Sequence, residues 1–480
     1  MLHNITILRF IDYCNTVILL YFIFTNLMYT LLMVLSLYSV SLYSKFASHQ
    51  SYEEIADSPA TPPVSLIVPA YNESQSIVQT VLALMSLNYP EKEIIVVDDG
   101  STDDTINVLV REFGLLRMDF IYRESIPAKP PLAYYFNPDR PELIVMYKEN
   151  GGKSDALNVG INMVHSPYFC TVDADSIIEA DALLRLMAPV LQSSTNTVAS
   201  GGVVRIANGC TLSNGRITKI DLPKSWLERC QVVEYIRTFL FGRPGWNLLN
   251  ATFIASGALM VLHTESVTLA GGYSSNTVTE DIEMIATLHR FLRGKGWKYR
   301  MVFTTEPICW TEAPHTVRML ARQRRRWQLG LMQTVMKHND MIINPTYGPV
   351  GMLSMPFHAY MEAMGCLIEA AGTILVPVSF IIGIMPIWLF LLILFLAIGY
   401  GTLLSVGSVL LEETTIRRYP RMRHTLILMF YAVIENFGYK QMVTFFRAHA
   451  ILQYFFGKRT WEHVVHRGLE TRVVVEDYET

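Results

Sequence analysis

At 480 residues the chain is long enough for two or three domains, but a composition 51% hydrophobic and only 17% charged excludes a wholly soluble protein of this length. A net charge of -3 excludes a partner held by bulk positive charge, so no nucleic acid is expected. The six cysteines (Cys14, Cys170, Cys210, Cys230, Cys309 and Cys366) show no CxxC spacing of a zinc or redox site, and free thiols in a reducing compartment are expected.

In chain order, no charged residue stands between Asp12 and Lys45. As a helix, the stretch 17–43 would be about 40 Å long at roughly 1.5 Å per residue, enough for one membrane span. It lacks the basic start, short apolar core and small-residue cleavage site of a signal peptide, so an anchor is expected. A polar linker, 48–63, ends in the Pro-rich SPATPP and reads as a boundary.

Beyond the linker, apolar β-branched runs alternate with helical patterns: Val64 to Val68, Glu93 to Val97, Leu143 to Tyr147 and Phe169 to Asp175. That alternation predicts an α/β domain over 64–340 with a mostly parallel sheet covered on both faces. Polar residues cluster where these strands end, in PAYNE, DDGSTDD, KENGGKSDALN and DADS. Such sheets bind ligands beyond the carboxyl ends of their strands. The Pro-rich piece from Leu115 to Glu142 reads as an irregular insertion.

The region 341–456 is apolar again, with a charge-free run from Ala370 to Leu411. A helical hairpin over about 363–411, reversing near Gly383 and Pro386, is expected, with further transmembrane or interfacial helices around it. Arg417, Arg418, Arg421 and Arg423 follow, whereas the turn at Pro386 carries no charge. By the positive-inside rule the arginine loop is cytoplasmic, and with it the hydrophilic domain, leaving the amino terminus outside. Glu362, Glu369, Glu435 and Arg447 are costly against lipid and predict either a hydrated path or pairing among themselves. A tail, 457–480, closes the sequence.

Four constellations carry chemistry. Asp173 and Asp175 end an apolar strand on the same side of the chain, and paired carboxylates suit a hard cation such as Mg2+ or Mn2+, which could offset the charge of a diphosphate. Asp98 and Asp99 close another strand, although a helix N-cap from Ser101 or Asp103 would explain the same run. Lys153 follows Gly151-Gly152 at a helix start, a place that suits phosphate, while the absence of GxxxxGK[ST] excludes a P-loop nucleotidase. Asp281 in Thr279-Glu280-Asp281 begins a helical pattern, either as a first-turn acid or as a base able to take a proton from a hydroxyl. On a helix predicted from about Thr316 to His338, Gln323, Arg326 and Trp327 share a face that offers an amide, a phosphate-gripping fork and an indole plate. Arg322, Arg324 and Arg325 read instead as arginines snorkelling toward lipid headgroups.

In this order, the D, DxD, TED, QxxRW series resembles glycosyltransferase family 2, and within it the membrane-embedded synthases of cellulose, hyaluronan, chitin and poly-N-acetylglucosamine. The match runs from about Pro63 to His338. The resemblance implies a GT-A catalytic domain combined with transmembrane and interfacial helices. It further implies that Tyr71, Glu73 and Asp99, with Asp98 beside them, hold the uridine of a UDP-sugar donor, with Lys153 near the nucleotide. Asp173 and Asp175 would bind diphosphate and metal, Mg2+ or Mn2+. Asp281, beside Glu280, would be the general base, and Gln323, Arg326 and Trp327 would border acceptor and leaving group. Two departures stand out: no cyclic-dinucleotide-sensing domain follows Phe456, and no FxVTxK gating sequence occurs, although Gly457-Lys458-Arg459-Thr460-Trp461 could substitute for it. Bacterial cellulose synthase itself is therefore not expected.

The expected activity is transfer of a sugar, with inversion, from a UDP-sugar to a growing saccharide or a lipid acceptor at the bilayer of a plasma or inner membrane, with room for accessory export or regulatory proteins. A β-linked polysaccharide is the expected product. A single-addition glycolipid-forming enzyme and an inactive nucleotide-binding scaffold or transport protein are the alternatives, separable by product length and by turnover.

Overall fold

The computed structural model describes residues 2–47, 52–174, 176–213, 216–254, 256–419 and 421–456. Asp175 and the Gly457–Trp461 stretch lie outside them. The described residues divide into two compact units, one of residues 43–223 and 250–313, the other of residues up to 42, 224–249 and 314–456.

The first unit is built on strands β1 (Val64–Ala70), β2 (Lys92–Asp98), β3 (Leu116–Met118), β4 (Pro131–Phe136), β5 (Leu143–Lys148), β6 (Tyr168–Val172), β7 (Ile177–Ile178) and β8 (Thr197–Ile206). A small hairpin, β9 (Thr211–Ser213) and β10 (Arg216–Lys219), precedes β11 (Leu259–His263) and β12 (Arg300–Thr311). Apart from the hairpin they form one ten-stranded sheet in the order β3-β4-β5-β2-β1-β6-β11-β8-β12-β7. Four predicted strands form its centre, β5-β2-β1-β6, and are parallel. The expectation of a mostly parallel sheet holds only for this block and the β8–β12 pair; the other pairings are antiparallel. The Pro-rich insertion is also more regular than expected, since β3 and β4 pair as an antiparallel edge, with Pro131 at the first strand position, where a missing N–H is tolerated.

Consecutive burial along β1 and β2 follows from coverage of both sheet faces. The helix Lys153–Met163 packs here, its Ala156 and Val159 against Ile95, Val97 and Met146, its Leu157 and Ile161 in the cluster with Ile67 and Phe169. Parallel register then brings the strand ends level. Ala70 pairs with Asp98, and Asp98 with Tyr147, while Ile67 pairs with Thr171 one residue before the end of β6. The polar segments that follow these strands therefore emerge at one edge.

The second unit is helical. Among the described residues, three helices are long and apolar enough to cross a membrane, with apolar stretches Leu8–Tyr43, Val350–Ile381 and Ile387–Thr415. Between the last two the chain turns at Gly383, whose φ of 75° is left-handed, and restarts after Pro386. Arg447 pairs with Glu362 at 3.0 Å, and Tyr29 donates to the same carboxylate at 2.6 Å. Glu369 accepts from Tyr21 at 2.8 Å and Thr444 at 3.1 Å. Glu435 pairs with Arg237 and accepts from Ser405 at 2.6 Å. Each charge that the hydrated-path expectation drew on thus has a partner within its own unit, and pairing alone accounts for its place among apolar helices.

One glycine shows how tightly the first unit is packed. A Cβ added at Gly160 would lie 2.4 Å from Cγ2 of Ile67, a fully buried residue of β1. Overpacking of this kind costs about 1–3 kcal/mol. Gly160→Ala is expected to lower the unfolding temperature of the full chain in detergent, and an unaltered melting profile would contradict the packing described.

Candidate active site

At the carboxyl edge of the central strands, two loops are laced together. After β1, Asn72 adopts a left-handed φ of 58°, which asparagine tolerates, and its Oδ1 accepts from the backbone N–H groups of Thr102 at 2.8 Å and Asp103 at 3.3 Å. The Asn72 N–H donates to Ser101 Oγ at 2.9 Å, and that of Glu73 to Thr105 Oγ1 at 2.9 Å. The Glu73 carboxylate accepts from Ser76, while the ring of Tyr71 is exposed. Asn72, which sequence reasoning passed over, organises the segment between the two residues it selected.

The adjacent acids of β2 have different surroundings. Asp98 is fully buried; its Oδ1 accepts from the Ser101 N–H at 2.8 Å, and its Oδ2 meets no donor among the described residues. Burial holds this carboxyl above the usual aspartate range against the Ser101 hydrogen bonds. Asp99 instead anchors the glycine turn: its Oδ1 accepts from Lys148 Nζ at 2.5 Å and from the Gly151 N–H at 2.9 Å, its Oδ2 from the Gly152 N–H at 2.7 Å. Lys148, fully buried at the end of β5, also pairs with Asp155 at 2.7 Å. This lysine was missed in the sequence. A lysine ending an apolar strand, with carboxylates available at the next strand end and one helical turn on, was the available signal.

From the insertion, Lys129 braces the same turn, its Nζ donating to the Asn150 carbonyl at 2.6 Å and its N–H to Asp155 at 3.1 Å. Gly151 has no room for a side chain, because a Cβ there would lie 2.4 Å from Asp155 Oδ2. Gly152 caps the following helix with a φ of 88°, and Lys153 is its first residue. The Lys153 ammonium sits 2.6 Å from Asp173 Oδ1 and 2.6 Å from Glu280 Oε1. Burial opposes its charge, but the two carboxylates prevail and hold it well above the usual lysine range.

Glu280 and Asp281 form the first turn of the helix Glu280–Gly294. Gly257 leaves the space that Asp281 occupies, since a Cβ there would stand 3.0 Å from Asp281 Oδ2. The Asp281 carboxyl is pushed up to about 6, by burial first and by the Glu280 carboxylate second, with Lys153 pulling the other way. Asp173, Lys153, Glu280 and Asp281 thus form one electrostatic group, assembled from β6, the glycine turn and a helix start. Among the described residues no group of three or more His, Cys, Asp or Glu side chains could by itself hold a metal ion. Asp173 remains a hard oxygen donor, part-exposed at a strand end, and its chemistry fits a hard divalent cation.

The remaining sequence-selected residues belong to the helical unit, on the helix Val317–Lys337, capped by Thr316 Oγ1 accepting the Met319 N–H at 3.3 Å. Gln323 Oε1 and Arg326 Nε are buried and find no partner among the described residues. Trp327 is half-buried. Arg324 departs from expectation: it is buried and paired with Glu234 at 2.9 Å, so it does not snorkel. The carboxylate of Glu234 compensates a charge that would otherwise seek water.

A glycosyl transferase family group 2 model matches residues 168–402, and a glycosyl transferase family 2 model matches residues 65–123. The chain is similar to poly-beta-1,6-N-acetyl-D-glucosamine synthases of Staphylococcus epidermidis, at 27% identity over 267 residues, and of Staphylococcus aureus strain COL, at 28% over 269 residues. In both cases the match covers 56% of this chain and 54% of the relative, so the chain spans about half the length of the curated relatives it matches. Among solved structures, a mannosyltransferase from Pyrobaculum calidifontis in complex with GDP-Man and Mn2+ aligns with a TM-score of 0.45 and 16% identity, over 87% of this chain and 99% of that one. With both family models matching in the chain order in which the strand-end motifs occur, this protein belongs to glycosyltransferase family 2.

Proposed function

We propose that this protein is a membrane-bound, inverting β-polysaccharide synthase that uses a UDP-sugar, with its catalytic unit on the cytoplasmic side. The observation that carries the reading is the cluster of Lys153, Asp173 and Glu280 beside Asp281, a base whose proton affinity is raised toward neutrality. The relatives' printed activity supports a glucosamine-based polymer, so UDP-N-acetylglucosamine is the first donor to test.

In this reading the exposed Tyr71 ring, Glu73 and Asp99, with Asp98 beside them, and the loops joined by Asn72 receive the nucleoside. Lys153 meets the diphosphate, and Arg326 grips it with a second cationic group. Asp281 takes the proton of the acceptor hydroxyl as its oxygen bonds to the anomeric carbon. The bond from that carbon to the diphosphate breaks, UDP leaves, and inversion makes the new linkage β. Asp173 and Asp175 would hold Mg2+ or Mn2+, which supplies charge to offset the departing diphosphate. Gln323 and Trp327 border the acceptor, the indole stacking against a sugar ring.

Purified protein given UDP-N-acetylglucosamine should yield long chains; a product carrying one sugar on a lipid would exclude the polymerase. Asp281→Asn should abolish transfer and leave UDP affinity nearly unaltered, and near-normal turnover in that variant would remove Asp281 from the mechanism. Because the carboxylate is the active form and titrates at about 6, the rate should fall about tenfold per pH unit below that value and level off above it. A flat profile between pH 5 and pH 7, about the window the titration spans, would contradict the assignment.

Chelation supplies an independent check. EDTA should stop transfer and Mg2+ or Mn2+ restore it, whereas full activity in protein confirmed metal-free would end the role given to Asp173 and Asp175.

A further inference from the structure

On the helix Val317–Lys337, Trp327 stands between two side chains that are both tied down. One turn earlier, Arg324 lies over the indole with its Cζ 4.4 Å from the ring centroid. Its Nη2 donates to Glu234 Oε2 at 2.9 Å, and that oxygen also accepts from the Tyr439 hydroxyl at 2.6 Å. A guanidinium is flat, and with its end held by a carboxylate its plane has little freedom to turn. Next to Trp327, Gln328 is buried, donates to the Ala363 carbonyl at 2.7 Å and accepts from Arg447 Nε at 2.8 Å. The Ala363 carbonyl lies in the π-helical segment Phe357–Ala363, where the widened ladder changes which backbone groups are free to bond.

A tryptophan has two faces against which a sugar ring can stack. Here a guanidinium covers one of them, in the i, i+3 relation that helical geometry imposes. We propose that Arg324, held by Glu234, is a positioning residue that backs one face of Trp327 and leaves the opposite face as the single platform for the acceptor sugar. This rests on the reading of Trp327 as the acceptor plate. Arg324 touches no reacting atom; it fixes the indole's orientation and, with it, the side from which the acceptor hydroxyl is presented.

The test uses the full chain in detergent, UDP-N-acetylglucosamine as donor and a β-linked N-acetylglucosamine oligosaccharide as acceptor, with both KM values measured. Arg324→Lys keeps a charge for Glu234 but loses the flat group, and should raise the acceptor KM about tenfold, the scale of a stacking contact, with the donor KM within about twofold. The double variant Glu234→Gln with Arg324→Met removes both buried charges together, which avoids stranding one, and should give the same split. Neither should add to the effect of Trp327→Ala. An unaltered acceptor KM in both variants, or equal changes in both KM values, would overturn the inference and leave the acceptor reading intact. A normal acceptor KM in Trp327→Ala would overturn both.

Discussion

The carboxyl edge of the central strands depends on one ammonium group shared between two carboxylates. Lys153 lies 2.6 Å from Asp173 and 2.6 Å from Glu280, and without it the end of β6 and the start of the helix Glu280–Gly294 would present like charges to each other. Attraction at such distances, in a setting only partly closed to water, is stronger than the same pair would feel in solution but still screened on its exposed side. The lysine can stand there because the turn before it is itself held by a buried ion pair. Lys148, with no exposed surface, joins Asp99 and Asp155, and Asp99 also gathers the N–H groups of Gly151 and Gly152. One buried cation shapes the turn, and the next cation along the chain bridges Asp173 and Glu280.

This arrangement gives adjacent acids different partners. Asp98 and Asp99 differ by one residue, yet one has an oxygen that no described donor meets and the other is bonded on both oxygens to the turn. Glu280 and Asp281 divide in the same way: Glu280 faces Lys153, and its charge helps raise the proton affinity of Asp281. Carboxylates one residue apart in the chain can thus differ widely in burial and in hydrogen-bond partners, and those surroundings set the proton affinity of Asp98 and Asp281.

The helical unit solves a different problem with the same means. Its acids and arginines lie among apolar helices where an unpaired charge would be expensive, and each carboxylate considered has a partner: Glu362 with Arg447, Glu435 with Arg237, Glu369 with Tyr21 and Thr444. One of these connections reaches the helix of Trp327, through Gln328 to Arg447, and a separate pair, Arg324 with Glu234, holds the same helix. The polar groups that make the segment look unlike a simple anchor are those that tie the helix of Trp327 to its neighbours.

The sequence by itself determined the family, the four central strands, the apolar helices and most of the residues placed at the strand ends, because these depend on local patterning. Burial on both sheet faces writes itself as apolar runs, and a ligand edge as polar residues directly after them. Beyond β6 the strands went unread: β8 carries Gly201-Gly202, and β12 carries Pro307, residues that blur a strand signal. The glycine at 202 is explained only across the sheet, where a Cβ would lie 2.8 Å from Thr304 on β12. Only the tertiary structure could reveal that Lys148 is the buried centre of the glycine turn, that Arg324 stacks on Trp327 rather than reaching for lipid, and that the acids among the apolar helices have charged or polar partners. Asp99 as the partner of Lys148, Glu234 as the partner of Arg324 and the ion pairs among the apolar helices each join residues far apart along the chain, and whether a charge meets water, lipid or an opposite charge is decided by packing, which no local pattern encodes.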